Sequence, residues 1–180
     1  MAEVSAVLVT RGDVDLTEIV ESVEEAGIND VVIWNNSLER DLGVYGRYAG
    51  IEQARHEVIY AQDDDCVLEP GAIAALLAAY EPGVLTANMP ARFRHDFYED
   101  HCLVGFGAVF DRALPWDAFD RFRWSLPEVW SDLERPEFCR TCDIVFTTLT
   151  PRKLVDVPHR DLPWASDANR MWKQPGHVGE

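Results

Sequence analysis

Three short apolar runs, Ala6-Val7-Leu8-Val9, Val31-Val32-Ile33-Trp34 and Val58-Ile59-Tyr60-Ala61, are separated by segments with helical periodicity. An unbroken apolar run of four, closed by polar residues, is the pattern of a strand buried on both faces. Between the first two runs, residues 16–26 place Leu16, Ile19, Val20 and Val23 on one helical face, and Gly27 stands where such a helix would end. Residues 45–55 read as a loop running into a short helix. Pro70 opens a stretch of strong helix formers over 70–80. This β-α-β-α-β-α order predicts a parallel sheet with right-handed crossovers. Further on the pattern loosens. Residues 84–87, 103–110 and 154–157 are expected as strands, 115–135 as loop and helix, and 143–149 as either strand or helix. The expectation is a single α/β domain over 1–180, with a mixed, mainly parallel sheet flanked by helices.

The three runs all end in polar clusters: Thr10-Arg11, Asn35-Asn36 and Asp63-Asp64-Asp65. Parallel neighbours would bring these ends to one edge of the sheet, where open α/β sheets hold their ligands. The aspartates carry the most chemistry. Carboxylates one residue apart can share Mg²⁺ or Mn²⁺ and leave positions open for phosphates. Without a counter-charge they repel one another. Asparagine amides suit a base or ribose edge, and an arginine fork suits a diphosphate. Each cluster alone is also ordinary turn chemistry. Three at successive strand ends point to a nucleotide-sugar site.

The chain has 32 acidic and 16 basic residues, a formal charge of −16, and that surface disfavours a broad nucleic-acid face. No apolar stretch reaches membrane-span length and the first residues carry no signal pattern, so the reading is soluble and cytoplasmic. Cys139-Arg140-Thr141-Cys142 has redox or zinc spacing without a second pair, which favours structural thiols.

Taken in order, these residues resemble GT-A fold glycosyltransferases, most closely the exostosin-like members. Val31-Val32-Ile33-Trp34-Asn35-Asn36 is similar to their second-strand motif. Gly46-Arg47-Tyr48 is similar to their Asn-Arg-Phe segment, with Gly46 in the Asn place. Gln62-Asp63-Asp64-Asp65 matches their DXD element, and Gly105-Phe106-Gly107-Ala108-Val109-Phe110 resembles an acceptor-side strand. Cys142-Asp143-Ile144 resembles a Cys-(Glu/Asp)-Asp-Ile signature, with Cys142 in place of the usual acidic residue. Small phage and bacterial enzymes of this fold have a similar size.

The resemblance implies a metal-dependent transferase that moves a sugar from a nucleoside diphosphate donor, expected to be UDP-linked, to an acceptor hydroxyl. Residues 1–82 would form the nucleotide-binding half and 83–180 the acceptor-binding half. Asp63 and Asp65 would hold Mn²⁺ or Mg²⁺, and Asp64 the ribose or donor sugar. Thr10, Arg11, Asn35, Asn36 and Arg47 would hold the nucleotide. Asp143 would act on the acceptor side, as a base in an inverting enzyme or against the sugar face in a retaining one; an ordinary helix cap is its plainer reading. GT-A enzymes often return a late histidine to the cation, which makes His177 a candidate ligand and His159 its rival. The tail from about residue 166 would then stay loose until donor and metal arrive. Trp116, Trp124, Trp130, Trp164 and Trp172 are candidates for a stacking platform, although aromatics more often fill cores. The acceptor class stays open between a glycan, a protein and a modified DNA base. A nucleotidyltransferase and a non-catalytic nucleotide-sugar-binding module are the competing readings. The first usually needs a glycine-rich phosphate loop, and Thr10-Arg11-Gly12-Asp13 supplies one glycine.

Overall fold

A computed structural model describes residues 3–94, 99–124, 136–168 and 170. The three apolar runs form β1 (Val4–Thr10), β2 (Asp30–Asn35) and β3 (Val58–Asp63), with β1 pairing in parallel to both others. Between them lie α1 (Thr17–Glu25) and, after a 3₁₀ turn, α2 (Gly46–Ile51). β4 (Cys66–Leu68) and α3 (Pro70–Ala79) follow, then β5 (Leu85–Asn88), β6 (Ala108–Asp111) and α4 (Leu114–Trp124). The described chain continues with α5 (Pro136–Leu149), β7 (Arg152–Val155) and β8 (His159–Asp161).

The main sheet runs β2-β1-β3-β6-β5-β7. Only β6 is reversed, pairing antiparallel with β3 and β5, while β5 and β7 are parallel. The architecture is therefore α/β, with a mixed, mainly parallel, Rossmann-like sheet. β6 comes from the second half of the chain, yet it sits beside β3 from the first. The two halves share one sheet.

The pleat divides the core into two layers. Val7, Ile59 and Phe110 face one side, where Tyr45, Tyr48, Phe119 and Phe146 pack against them. Ala6, Tyr60 and Val109 face the other and meet Val23, Ile73 and Leu76 from α1 and α3. At α1 the expected stop at Gly27 is a full Schellman closure. Gly27 has φ +91°, its N–H donates to the Glu24 carbonyl, and the Ile28 N–H donates to Val23.

Two expectations need revision and one ambiguity is resolved. Residues 103–107 are a turn rather than strand, because Gly107 adopts φ +97° and its N–H closes on the Val104 carbonyl at 3.2 Å. Strand β7 begins two residues before the expected 154. The ambiguous segment 143–149 is the end of helix α5, and the last part of the expected loop-and-helix segment, 125–135, lies outside the described residues. The short β4–β8 ribbon had no signal in the sequence: three residues per strand are too few for a periodicity to register.

Among the described residues, no helix is long and apolar enough to cross a membrane. All four cysteines are buried and outside any disulfide. Burial and neighbouring Asp143 push the Cys142 thiol well above its ordinary range, in keeping with structural thiols.

Candidate functional site

The register brings the three polar ends together. Thr10 sits opposite Asn35, and Val9 opposite Asp63. Beyond β3 the chain turns sharply through Asp64 and Asp65 into β4. The buried Gln62 side chain fixes that turn by donating to the Cys66 carbonyl at 2.7 Å. Tyr60 in turn donates to Gln62. Cys66 pairs with Asp161 across the β4–β8 ribbon, so a further carboxylate arrives beside Asp65.

Each of the three aspartates has a different environment. Asp64 points inward and is 6% exposed. Its carboxylate accepts from Thr10 Oγ1 at 2.7 Å and from Arg170 Nη1 at 2.9 Å, and also receives the Arg11 backbone N–H. Both oxygens are therefore engaged by protein donors, and Asp64 is a structural anchor rather than the free ribose ligand expected. Thr10 is likewise buried, holding Asp64 and the Gly12 N–H at 3.0 Å.

Asp63 is half-buried and ion-paired with Arg47. Its other oxygen lies against Gly105, where a Cβ would come within 2.1 Å of it, so only glycine admits this approach. Burial raises the Asp63 carboxyl above its usual range, although Arg47 opposes the shift. Asp65 is the least satisfied of the three. Burial, followed by the charges of Asp63 and Asp64, pushes its carboxyl up to about 7.

Arg47 was expected on a diphosphate. Its guanidinium is instead fully buried, with Nη2 on Asp63 and Nη1 on Asp143 Oδ2 at 2.9 Å. The planar fork suits two carboxylates approached from one side. Tyr48, the next residue, donates its hydroxyl to Asp143 Oδ1 at 2.6 Å. Asp143 thus lies within α5, tied through Arg47 to the end of β3 some 80 residues earlier; it is not a helix cap. Arg47 Nε is buried and has no hydrogen-bond partner among the described residues.

Asn36 is spent on its own loop. Its Oδ1 accepts from Trp34 Nε1 at 3.1 Å and the Leu42 N–H at 2.9 Å, and its Nδ2 donates to Gly43. Asn35 Oδ1 closes a turn on Ser37, while Arg11 stays exposed at the edge. Gly46 now has a reason: a Cβ there would lie 2.3 Å from the Trp34 indole, so the bulky residue near the end of β2 needs glycine opposite it.

His159 lies under Arg92, with Nε2 3.0 Å from Arg92 Nη2, and packs edge-on to Phe106. Burial and the arginine lower its pKa. His177 lies outside the described residues, as do Trp130 and Trp172. Trp116 packs edge-on to Phe119. Trp164 donates from Nε1 to the Asp64 carbonyl at 2.6 Å.

Sequence reading named Trp164 only as a stacking candidate and Tyr48 only within its motif, and passed over Arg170 altogether. Arg170 is buried against Asp64 and donates from Nε to the Trp164 carbonyl at 3.0 Å. The turn at Pro163–Ser166 is packed on the aspartate turn, and Arg170, within the tail expected to be loose from about residue 166, is anchored on Asp64. A lone arginine in an irregular tail carries no pattern, so no sequence signal could have found it. Tyr48 had one, since it adjoins Arg47 in a segment already singled out.

Among the described residues, no three His, Cys, Asp or Glu side chains form a ready-made metal cage. Asp65, with Asp63 beside it, is the remaining carboxylate pair of the turn. One or two carboxylates completed by substrate phosphates and water is how Mg²⁺ is commonly bound, so the donor set fits a cation that arrives with a phosphorylated ligand.

No protein-family model and no curated protein matches the chain. Among solved structures, the chain is similar to A197 from STIV, with 13% identity, a TM-score of 0.43, and coverage of 86% of this chain and 82% of that one.

Proposed function

We propose that the chain is a metal-dependent glycosyltransferase that uses a nucleoside diphosphate sugar, a UDP-linked one first. The supporting observation is the carboxylate arrangement at the carboxyl end of β3. There burial and the charges of Asp63 and Asp64 disfavour the ionised form of Asp65, a penalty that a bound cation would relieve, while Arg47 ties Asp63 to Asp143.

In this reading Asp65 and Asp63 hold Mn²⁺ or Mg²⁺. Bound there, the cation supplies charge neutralisation for the leaving diphosphate. Arg11 and Asn35, at the rim of the same sheet edge, face the nucleotide. The glycosidic C–O bond breaks with its electron pair leaving on the diphosphate. The acceptor hydroxyl oxygen bonds to the anomeric carbon and gives its proton to Asp143 where that residue is the base, or to the departing diphosphate where it is not. Asp143 stands on the acceptor side of that carbon, as base or as a fixed negative charge.

A thermal-shift screen of UDP, GDP and their sugars, with and without Mn²⁺, tests the reading. A nucleotide should raise the melting temperature only when the cation is present, since a ligand that binds the native state alone stabilises it. UDP release from the stabilising sugar then separates an enzyme from a binding module. No cation-dependent shift with any nucleotide would overturn the proposal.

A further inference from the structure

We infer that Tyr48 is a positioning residue for Asp143, an inference that rests on the transferase reading above. Asp143 projects from α5, and a carboxylate held at one oxygen keeps the freedom to swing about its side-chain torsions. Here both oxygens are taken by consecutive residues of α2. Arg47 Nη1 donates to Oδ2 at 2.9 Å and the Tyr48 hydroxyl to Oδ1 at 2.6 Å. Cys142 Sγ adds a weak contact to Oδ1 at 3.9 Å. Two donors from one short helix fix the plane of the carboxylate as well as its position.

The clamp is built on a rigid base. Tyr48 is completely buried, with its ring edge-on to Phe119 at 5.0 Å and to Phe146 at 5.7 Å. α2 is seated against β2 by the Gly46–Trp34 contact and against β1 by Gly50, where a Cβ would meet Val7 at 2.9 Å. The other half of the Arg47 fork ends on Asp63. One guanidinium therefore fixes the separation of the donor-side and acceptor-side carboxylates, and Tyr48 removes the remaining rotation of Asp143. Neither residue needs to touch substrate for the transfer geometry to depend on it.

The test is a double-mutant cycle on Mn²⁺-dependent UDP release from UDP-glucose, UDP-galactose and UDP-N-acetylglucosamine. Tyr48→Phe keeps the ring and its packing and removes only the hydroxyl, so the fold should be retained. It should lower kcat about tenfold, with the donor KM unchanged. In an Asp143→Asn background, where the turnover itself should fall by about a hundredfold or more, the same substitution should cost nothing further. Parental kcat in Tyr48→Phe, or a loss that multiplies with that of Asp143→Asn, would overturn the inference and leave the transferase reading standing. No UDP release by the parent chain from any of the three sugars would overturn both.

Discussion

Arg47→Met is expected to destabilise the chain by about 3–5 kcal/mol, the scale seen when one partner of a buried ion pair is removed and charge is left uncompensated. The guanidinium side chain has no solvent exposure, and its two partners are only 28% and 23% exposed. Methionine fills much of the volume, so the loss is electrostatic rather than a cavity. The deficit should depend on pH in a direction opposite to the usual carboxylate case. Burial already raises the Asp63 carboxyl above 3.8, and removing Arg47 deletes the largest influence opposing that shift. A carboxyl whose folded pKa lies above its unfolded value binds its proton more readily in the native state. The variant should therefore regain stability as the pH falls through the raised folded value towards 3.8. Urea unfolding of parent and variant across that interval measures both effects. A stability equal to the parent's at neutral pH would mean that the bridge contributes nothing to the fold.

Asp65→Asn should abolish Mn²⁺-dependent UDP binding and leave the fold intact or slightly more stable. Its carboxyl is pushed up to about 7 by burial and by the charges of Asp63 and Asp64, so asparagine relieves a repulsion while deleting a cation ligand. The two readouts move in opposite directions, which separates loss of a ligand from loss of structure. Calorimetry with UDP and Mn²⁺ measures the first and thermal unfolding the second. Equal UDP affinity in variant and parent would remove the cation from the proposed reaction.

How much of this was legible in the chain follows from the range of each interaction. The three buried strands and the helices between them are written in runs of four apolar residues and in one helical face, signals contained within about ten residues. The meeting of Thr10, Asn35 and Asp63 at one edge followed from parallel pairing alone. The division of labour among Asp63, Asp64 and Asp65 did not, because identical neighbours in sequence are distinguished only by what surrounds them. Asp64 received Thr10 and Arg170, Asp63 received Arg47, and Asp65 was left with the repulsion of the others.

Arg47 shows the same limit. The resemblance of Gly46-Arg47-Tyr48 to an Asn-Arg-Phe segment marked it as functional, yet its partners, Asp63 and Asp143, lie 16 and 96 residues away. An exposed arginine facing phosphate and a buried one bridging carboxylates have the same local sequence, and desolvation chooses between them. By itself, the sequence determined a parallel-stranded α/β sheet with its carboxylates at the strand ends, because backbone pairing and apolar periodicity are local and repetitive. Tertiary structure alone decided which carboxylate is anchored, which is paired and which is left facing the charges of the others. Those states depend on long side chains arriving from α2, α5 and the residue-170 segment, and on how much water each arrival excludes.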